Sequence, residues 1–436
     1  MAEILTPRGA AFWPVGTGDS TTIVVDDDIV VQVDLHDMVL ADDDDTPEVA
    51  VVDRLMEALP VGEDGRPYLA VFVLTHADLD HCRGFEDLLS EVTIGELWAT
   101  PRLWREFEDS EATICESARR FQEEAERRVA ATKEAVGEGR TPVSGDRVRV
   151  IGYDTDHSKH AYSELPDEYL TYPGEAVTVL DGVECAGRFE AFVHAPFKDD
   201  CAKARNDTSV ALQVTLTDGA GNGQFLLFGD LAYETIVKIF DYSTAFGRQE
   251  RLAWDVLLAP HHCSKKVMYV GDELKQDVLD HLEVNAKANS YVVSSSKPIS
   301  ESNNPGDNPP HRLAADRYQE ITDRFICTME HGSTDAPSPV VFEVDASGLH
   351  LLDPQLVELS ARDLTKAFGV APGRLGQVAG AAARYAEQRS RYGGRRTSGD
   401  VAAASGASGV SRIREAIHED RGGDSAPGGV VGFGRQ

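Results

Sequence analysis

Between residues 75 and 84 the chain reads Thr-His-Ala-Asp-Leu-Asp-His-Cys-Arg-Gly, directly after the apolar run Leu69 to Leu74. Two imidazoles and two carboxylates, from His76, Asp78, Asp80 and His81, therefore fall within six residues. The run has the length and composition of a buried strand, which predicts a strand that stops where the polar cluster starts. Alternation puts His76, Asp78 and Asp80 on one side, and His81 turns in with the loop. Imidazole nitrogens and carboxylate oxygens are what divalent cations bind, and two close sets suit a pair of metals. The plainer reading is a helix N-terminus, with Asp78 or Asp80 capping a helix that starts near Gly84. Capping accounts for one Asp but leaves two His unexplained, so metal binding is the stronger reading.

His76-x-Asp78-x-Asp80-His81 resembles the HxHxDH signature of the metallo-β-lactamase superfamily, with Asp in place of the second His. That variant is similar to the C-terminal, soluble domain of ComEC-type competence proteins. Other segments resemble the same family in the same order. Val15-Gly16-Thr17-Gly18-Asp19-Ser20 resembles its VGQGDS turn, and Asn206-Asp207-Thr208-Ser209 its ND-x-S segment. Phe228-Gly229-Asp230 resembles its TGD, Pro260-His261-His262-Cys263-Ser264-Lys265 its HHGSK, and Asn304 to His311 a late N…HP segment. The likeness runs over about residues 10 to 353. It implies an α/β chain folded as an αββα metallo-β-lactamase sandwich over residues 1–360, with a helical insertion at about 101–140.

Carried over motif by motif, the resemblance places His76 and Asp78 in a first metal site and Asp80 and His81 in a second. Asp230 would bridge the two, and His261 or its neighbour His262 would complete the second, with His261 the expected ligand. At the third motif Asn206 or Asp207 must serve where typical relatives carry His, and Asp207 is the expected ligand. His194 competes for that role because it ends a strand, although it more simply matches a family HP turn. Asp80 and Asp230 are the implied catalytic ligands. Lys265 or His311 would neutralise phosphate charge or protonate the leaving oxygen.

With Asp78, Asp80, Asp207 and Asp230 the set is rich in oxygen, which shifts preference from zinc toward manganese or magnesium. The cofactors implied are two divalent ions, manganese or zinc, with magnesium also compatible. The activity implied is a phosphodiesterase, a DNA or RNA nuclease, in which a two-metal-activated hydroxide attacks phosphorus in line. The same fold hosts hydrolases of lactones, thioesters and cyclic nucleotides, so a small-molecule metallohydrolase is the alternative. A non-catalytic module that binds nucleic acid or a protein partner is a third. Asp78 speaks against the second reading, and intact ligands at every motif against the third. Cys82 and Cys263 each follow a proposed ligand, where relatives usually carry an apolar residue and Gly. A thiolate there would favour zinc and make activity redox-sensitive, whereas simple packing is the plainer role. His36 stands where relatives tend to carry Gly. Gly16 and Gly18 read as turn glycines, and Asp19 either braces that loop or touches substrate.

The elements that must position these groups are legible in outline. Ala11 to Val15, Thr21 to Val25 and Ile29 to Val33 predict strands, and Pro47 to Leu59 a helix with Val51, Leu55 and Leu59 on one face. Residues 101–137 predict one long helical segment that packs on the sheet. Residues 153–175 predict an exposed loop with His157 and His160 facing solvent. Further strands are expected at Phe189 to His194, Ser209 to Leu216, Gln224 to Phe228 and Trp254 to Ala259, with a helix from Ala232 to Phe240.

The whole chain has 436 residues, 42% of them hydrophobic, and a formal net charge of −32. That charge disfavours long-range attraction of a polyanion, although bound metals would place positive charge where a phosphate must sit. The start, Met1 to Pro7, predicts no signal peptide, and no apolar run approaches the ~20 residues needed to cross a bilayer. Six Cys without CxxC spacing fit a reducing cytoplasm. Residues 361–436 are rich in Gly, Ala, Ser and Arg and are expected to be mostly disordered. Arg384, Arg389, Arg391, Arg395 and Arg396 flank Tyr385 and Tyr392 there, which suits either a solvated tail or an arm contacting nucleic acid or an acidic partner.

Overall fold

The structure is a computed structural model that describes residues 6–354 apart from 39–48, 109–113, 153–157, 159, 199, 201–203 and 303–307. The Arg-rich tail, His157 and Asn304 lie outside the described residues. All described elements belong to one compact unit, Leu5–Val357.

Two large mixed sheets make up an α/β fold. One has nine strands in the order Gly348–Leu351, Val340–Asp345, Gly9–Phe12, Thr21–Asp26, Ile29–Val33, Tyr68–Val73, Thr93–Ala99, Arg147–Ile151 and Leu170–Thr171. The other has seven, in the order Phe325–Cys327, Ala286–Ser294, Trp254–Leu258, Gly221–Leu227, Ala211–Asp218, Phe189–Ala195 and Ala176–Val177. Both sheets contribute to one buried apolar core: Phe12, Ile23, Val31, Val71 and Val73 from the first meet Val193, Leu212, Val214, Phe225 and Val256 from the second. Alternation sends neighbouring side chains of the second sheet, such as Leu226 and Leu257, to its other face. There they pack with Ile236, Ile239 and Phe240 of the Tyr233–Ala245 helix, Leu279 of Gln276–Asn285 and Tyr318 of Arg312–Ile321. Behind the first sheet, Phe72 stacks with Phe85 and Phe121 of two outer helices, Phe85–Glu91 and Glu116–Gly137, at centroid distances of 5.1 and 5.9 Å.

Phe225 is fully buried between Phe12 and Phe342. Removing its ring leaves a cavity that close-packed neighbours cannot fill, so Phe225→Ala is expected to lower unfolding free energy by about 3–5 kcal/mol in a denaturant titration.

Several strands sit where the sequence predicts them, but three details differ. The 101–137 segment contains two helices, Arg102–Glu108 and Glu116–Gly137, rather than a single one. The predicted strand Ala11 to Val15 is observed as Gly9–Phe12. His160, expected to face solvent, is buried at 4% exposure and stacks on Tyr162, because the polar composition around it hides a small aromatic cluster with Trp104.

What this topology does for the chemistry is to bring strand ends together. Ile29–Val33 and Tyr68–Val73 run parallel, as do Gly221–Leu227 and Trp254–Leu258. The residues following all four strands carry the candidate ligands and their partners. Ligands in α/β sheets gather at such carboxyl ends, where rigid strands fix short loops. Among the described residues, no helix is long and apolar enough to cross a membrane.

Candidate metal centre

Asp230 follows the Gly221–Leu227 strand and lies at the middle of the cluster, 3% exposed. Its two carboxylate oxygens face different neighbours. Oδ2 lies 3.8 Å from His76 Nε2 and 3.6 Å from His261 Nε2. Oδ1 lies 3.2 Å from His81 Nε2 and 3.4 Å from His262 Nε2. Asp78 Oδ2 approaches His76 Nε2 at 3.4 Å, on the first side. Asp80 Oδ2 approaches His262 Nε2 at 3.3 Å, on the second. The chain thus supplies two sets of N and O donors that meet at one carboxylate.

Three of the four imidazoles have polar groups behind them. His81 Nδ1 bonds Asp34 Oδ2 at 2.7 Å, and Asp34 in turn accepts from the Thr75 amide and hydroxyl at 2.7 and 2.6 Å. His262 Nδ1 faces Asp19 Oδ1 at 3.3 Å. In both rings a carboxylate behind Nδ1 leaves Nε2 directed at Asp230, the usual way a fold orients a metal-binding imidazole. His76 Nδ1 is flanked by Thr75 Oγ1 at 3.1 Å and Ser209 Oγ at 3.3 Å. Gly18 lets the Asp19 loop close on this region, since a Cβ there would stand 2.1 Å from His36 Nδ1 and 2.8 Å from the Asp80 carbonyl.

Asp19, His81, Asp230 and His262 are all buried, with ligand atoms within 4.8 Å of one another, and this group could hold a metal ion. The donor chemistry fits a cation closely. His76 Nε2 and Asp230 Oδ1 are each buried without a hydrogen-bond partner among the described residues, a costly state that a cation beside each would relieve. His81 and His262 present their Nε2 atoms to each other at 3.3 Å. At that distance one ring's N–H can donate to the other's lone pair, or, once both protons have left, two lone pairs can share a cation.

Several expectations change in detail. His262, not His261, stands with Asp80 and His81, while His261 faces the Asp230 oxygen on the His76 side. The reason is local backbone: His261, His262 and Cys263 all have positive φ (51°, 54° and 64°), so the two rings approach Asp230 from separate sides. Of the Asn206-Asp207 pair, Asn206 Nδ2 donates to Asp230 Oδ2 at 3.1 Å, and Asp207 is outside the buried group of four. His194 is spent on the Arg251 carbonyl at 2.9 Å, and burial lowers its pKa to about 4. His311 Nδ1 accepts from the Lys265 amide at 3.3 Å, which fastens it to the His261–Lys265 loop. Cys82 touches a candidate ligand only through backbone, its Sγ donating to the Asp78 carbonyl at 3.1 Å, and Cys263 is buried in the core behind the second sheet. Asp34 is the participant that the motifs leave unassigned, while Asp19 and Asn206 enter the sequence reading only as alternatives; the position of Asp34 at a strand end is the signal available for it.

The electrostatics follow from crowding. Burial opposes charge on His81, yet Asp230, Asp34 and Asp80 together hold its pKa well above the usual value. His262 is raised for the same reason, by Asp230 and Asp19 against its burial. Burial also opposes charge on Asp78, but His76 and an ion pair with Arg205 pull its carboxyl down to about 2. Burial keeps His261 neutral, with a pKa of about 4.

A metal must therefore displace protons from the His81–His262 pair. Manganese affinity is expected to rise with pH above the ordinary imidazole value of 6.5, by about tenfold per pH unit for each proton displaced. The stability of the metal-free chain is expected to follow the opposite trend. Raised imidazole pKa values contribute stability that is present below 6.5 and is lost as pH climbs through the folded values. Titration calorimetry in two buffers of different ionisation enthalpy measures the proton release directly. Compared with known proteins, the chain matches no family model and no curated sequence.

Proposed function

We propose that the chain is a metal-dependent phosphodiesterase, a nuclease acting on DNA or RNA, built on an αββα metallo-β-lactamase sandwich of the ComEC type. The observation that carries this reading is the division of Asp230 between two donor sets, each holding one partly exposed carboxylate. Asp78 and Asp80 keep 29% and 35% of their side chains exposed, so both sets open toward solvent.

Two divalent ions fit these donors: His76, Asp78, His261 and Asp230 would hold one, and Asp80, His81, His262 and Asp230 the other. When bound, such ions acidify water and neutralise charge on a phosphoryl group during in-line displacement. The chain's residues supply the rest. Asp34 and Asp19 hold their imidazoles with Nε2 forward. Asn206 fixes the rotation of the Asp230 carboxylate. Arg205 balances the extra negative charge that Asp78 brings. Lys265, on the loop after His261, and His311, bonded to that loop from the start of the Arg312–Ile321 helix, are the candidates to contact phosphate or to return a proton to the leaving oxygen.

Among the described residues, the cavity that adjoins His76 is lined by Leu74, Ala77, Ala99, Leu103 and Phe121 and holds only about 10 Å³, room for one water. Two partly open carboxylates at the rim suit the approach of a polymer backbone. The test is cleavage of labelled single- and double-stranded DNA and RNA with manganese, magnesium or zinc, beside an Asp80→Ala/His81→Ala control. Metal-dependent cutting that the control lacks is expected. Metal binding without cutting of any polymer would move the search to cyclic nucleotides and small esters.

A further inference from the structure

Cys82 and Cys115 stand apart in sequence, yet their Sγ atoms lie 3.5 Å from each other. Cys82 closes the single helical turn Leu79–Cys82, which carries Asp80 and His81, and it is fully buried. Cys115 is the N-cap of the 22-residue helix Glu116–Gly137, where its sulfur accepts from the Ala118 amide at 3.4 Å. It is only partly buried, so of the two sulfurs it is the one an oxidant reaches.

We propose that Cys82 and Cys115 are a redox-active dithiol, oxidised by peroxide to a reversible disulfide that ties the metal loop to the long helix and weakens the loop's hold on its metals. The second half rests on the metal reading given above, and the first half does not. A helix N-terminus favours thiolate over thiol. The hydrogen bond from Cys82 and that from the Ala118 amide both act to hold the Cys115 thiol below its ordinary range. The Cys115 thiolate attacks one peroxide oxygen, the O–O bond breaks, and hydroxide leaves, giving a sulfenic acid at Cys115. The Cys82 sulfur then attacks that sulfur. The S–S bond forms, the S–O bond breaks, and the departing hydroxide takes the Cys82 proton as water. Overall, two thiols lose two hydrogens and one peroxide becomes two waters.

Closure has a geometric consequence. A disulfide needs its sulfurs at about 2.05 Å, well inside the present 3.5 Å, so Cys82 or Cys115 must move. Cys82 directly follows His81, and its sulfur also sits against the Asp78 carbonyl at 3.1 Å. Movement there displaces donors whose placement must hold to about 0.5 Å.

The test treats the reduced, metal-free, full-length protein with hydrogen peroxide, then maps alkylated peptides before and after dithiothreitol. A dithiothreitol-sensitive cross-link between the Cys82 and Cys115 peptides is expected, absent from Cys115→Ser. Serine is itself a good N-cap, so that variant keeps its helix start. Manganese titration is the second readout: oxidised wild type should bind at least about tenfold more weakly than reduced protein, in line with losses from displaced supports of a metal site. Peroxide-treated Cys115→Ser should bind as before treatment. Free thiols at both positions after peroxide would overturn the dithiol, and unchanged manganese affinity in cross-linked protein would overturn the coupling. A reduced protein that binds no manganese would overturn the metal reading and the coupling together, while the peptide map reports on the dithiol separately.

Discussion

On the proposed two-metal reading, replacing Asp230 by Asn is expected to abolish both metal binding and hydrolysis. The substitution keeps the size of the side chain and changes only what its two outer atoms can do. In the native chain Oδ1 serves His81 and His262 while Oδ2 serves His76 and His261. An amide offers one neutral oxygen to one side and aims an NH₂ at the imidazoles on the other. It also removes the charge that, against strong burial, keeps protons on His81 and His262. A loss of at least about 1,000-fold in kcat/KM is the scale expected for a group on which a whole catalytic unit depends. Manganese titration and cleavage kinetics on the same preparation check it. Native-like manganese binding by Asp230→Asn would show that the carboxylate is a buried structural group.

Asp34→Asn should cost less and say more about how the site is organised. Asp34 is 1% exposed, has a φ of 54°, and touches none of the outer donors except through His81. Asparagine tolerates that left-handed backbone, so the fold should survive the change. What it loses is the anion behind His81 Nδ1, and with it the fixed tautomer and part of the ring's basicity. Supports of this kind typically account for about 10- to 100-fold in metal affinity. A fall of that size, with Asp19→Asn showing a similar fall through His262, is the expected result. Unchanged affinity in both variants would leave the two carboxylate–imidazole pairs as packing features.

The residues around His76 were readable because local rules sufficed. An apolar run that ends in a polar cluster is a strand delivering side chains to a sheet edge, and Tyr68–Val73 does so. Phe228-Gly229-Asp230 and Pro260 to Lys265 are singled out instead by their resemblance to family motifs, and each follows a strand in the structure. Gly229 has a φ of 51°, and a Cβ there would stand 2.9 Å from Ser209 Cβ, so the turn before Asp230 needs glycine. What local rules could not supply was the direction of side chains in irregular backbone. His261 and His262 are adjacent in sequence, and only their consecutive left-handed conformations send them to opposite sides of Asp230. The same limit applied at Asn206 and Asp207, which lie in a short 3₁₀ turn where alternation does not operate. Asp34 and His81, or Cys82 and Cys115, meet through the folding of separate segments, and nothing in their sequence spacing announces it. His160 misled for a different reason: polar neighbours in sequence masked the aromatic neighbours in space.

Anomalous scattering from manganese-soaked crystals tests the centre most directly. Two peaks are expected, one beside Asp230 Oδ2 among His76, Asp78 and His261, and one beside Oδ1 among Asp80, His81 and His262. Crystals that bind manganese elsewhere, or not at all, would contradict the assignment of these residues as a two-metal site.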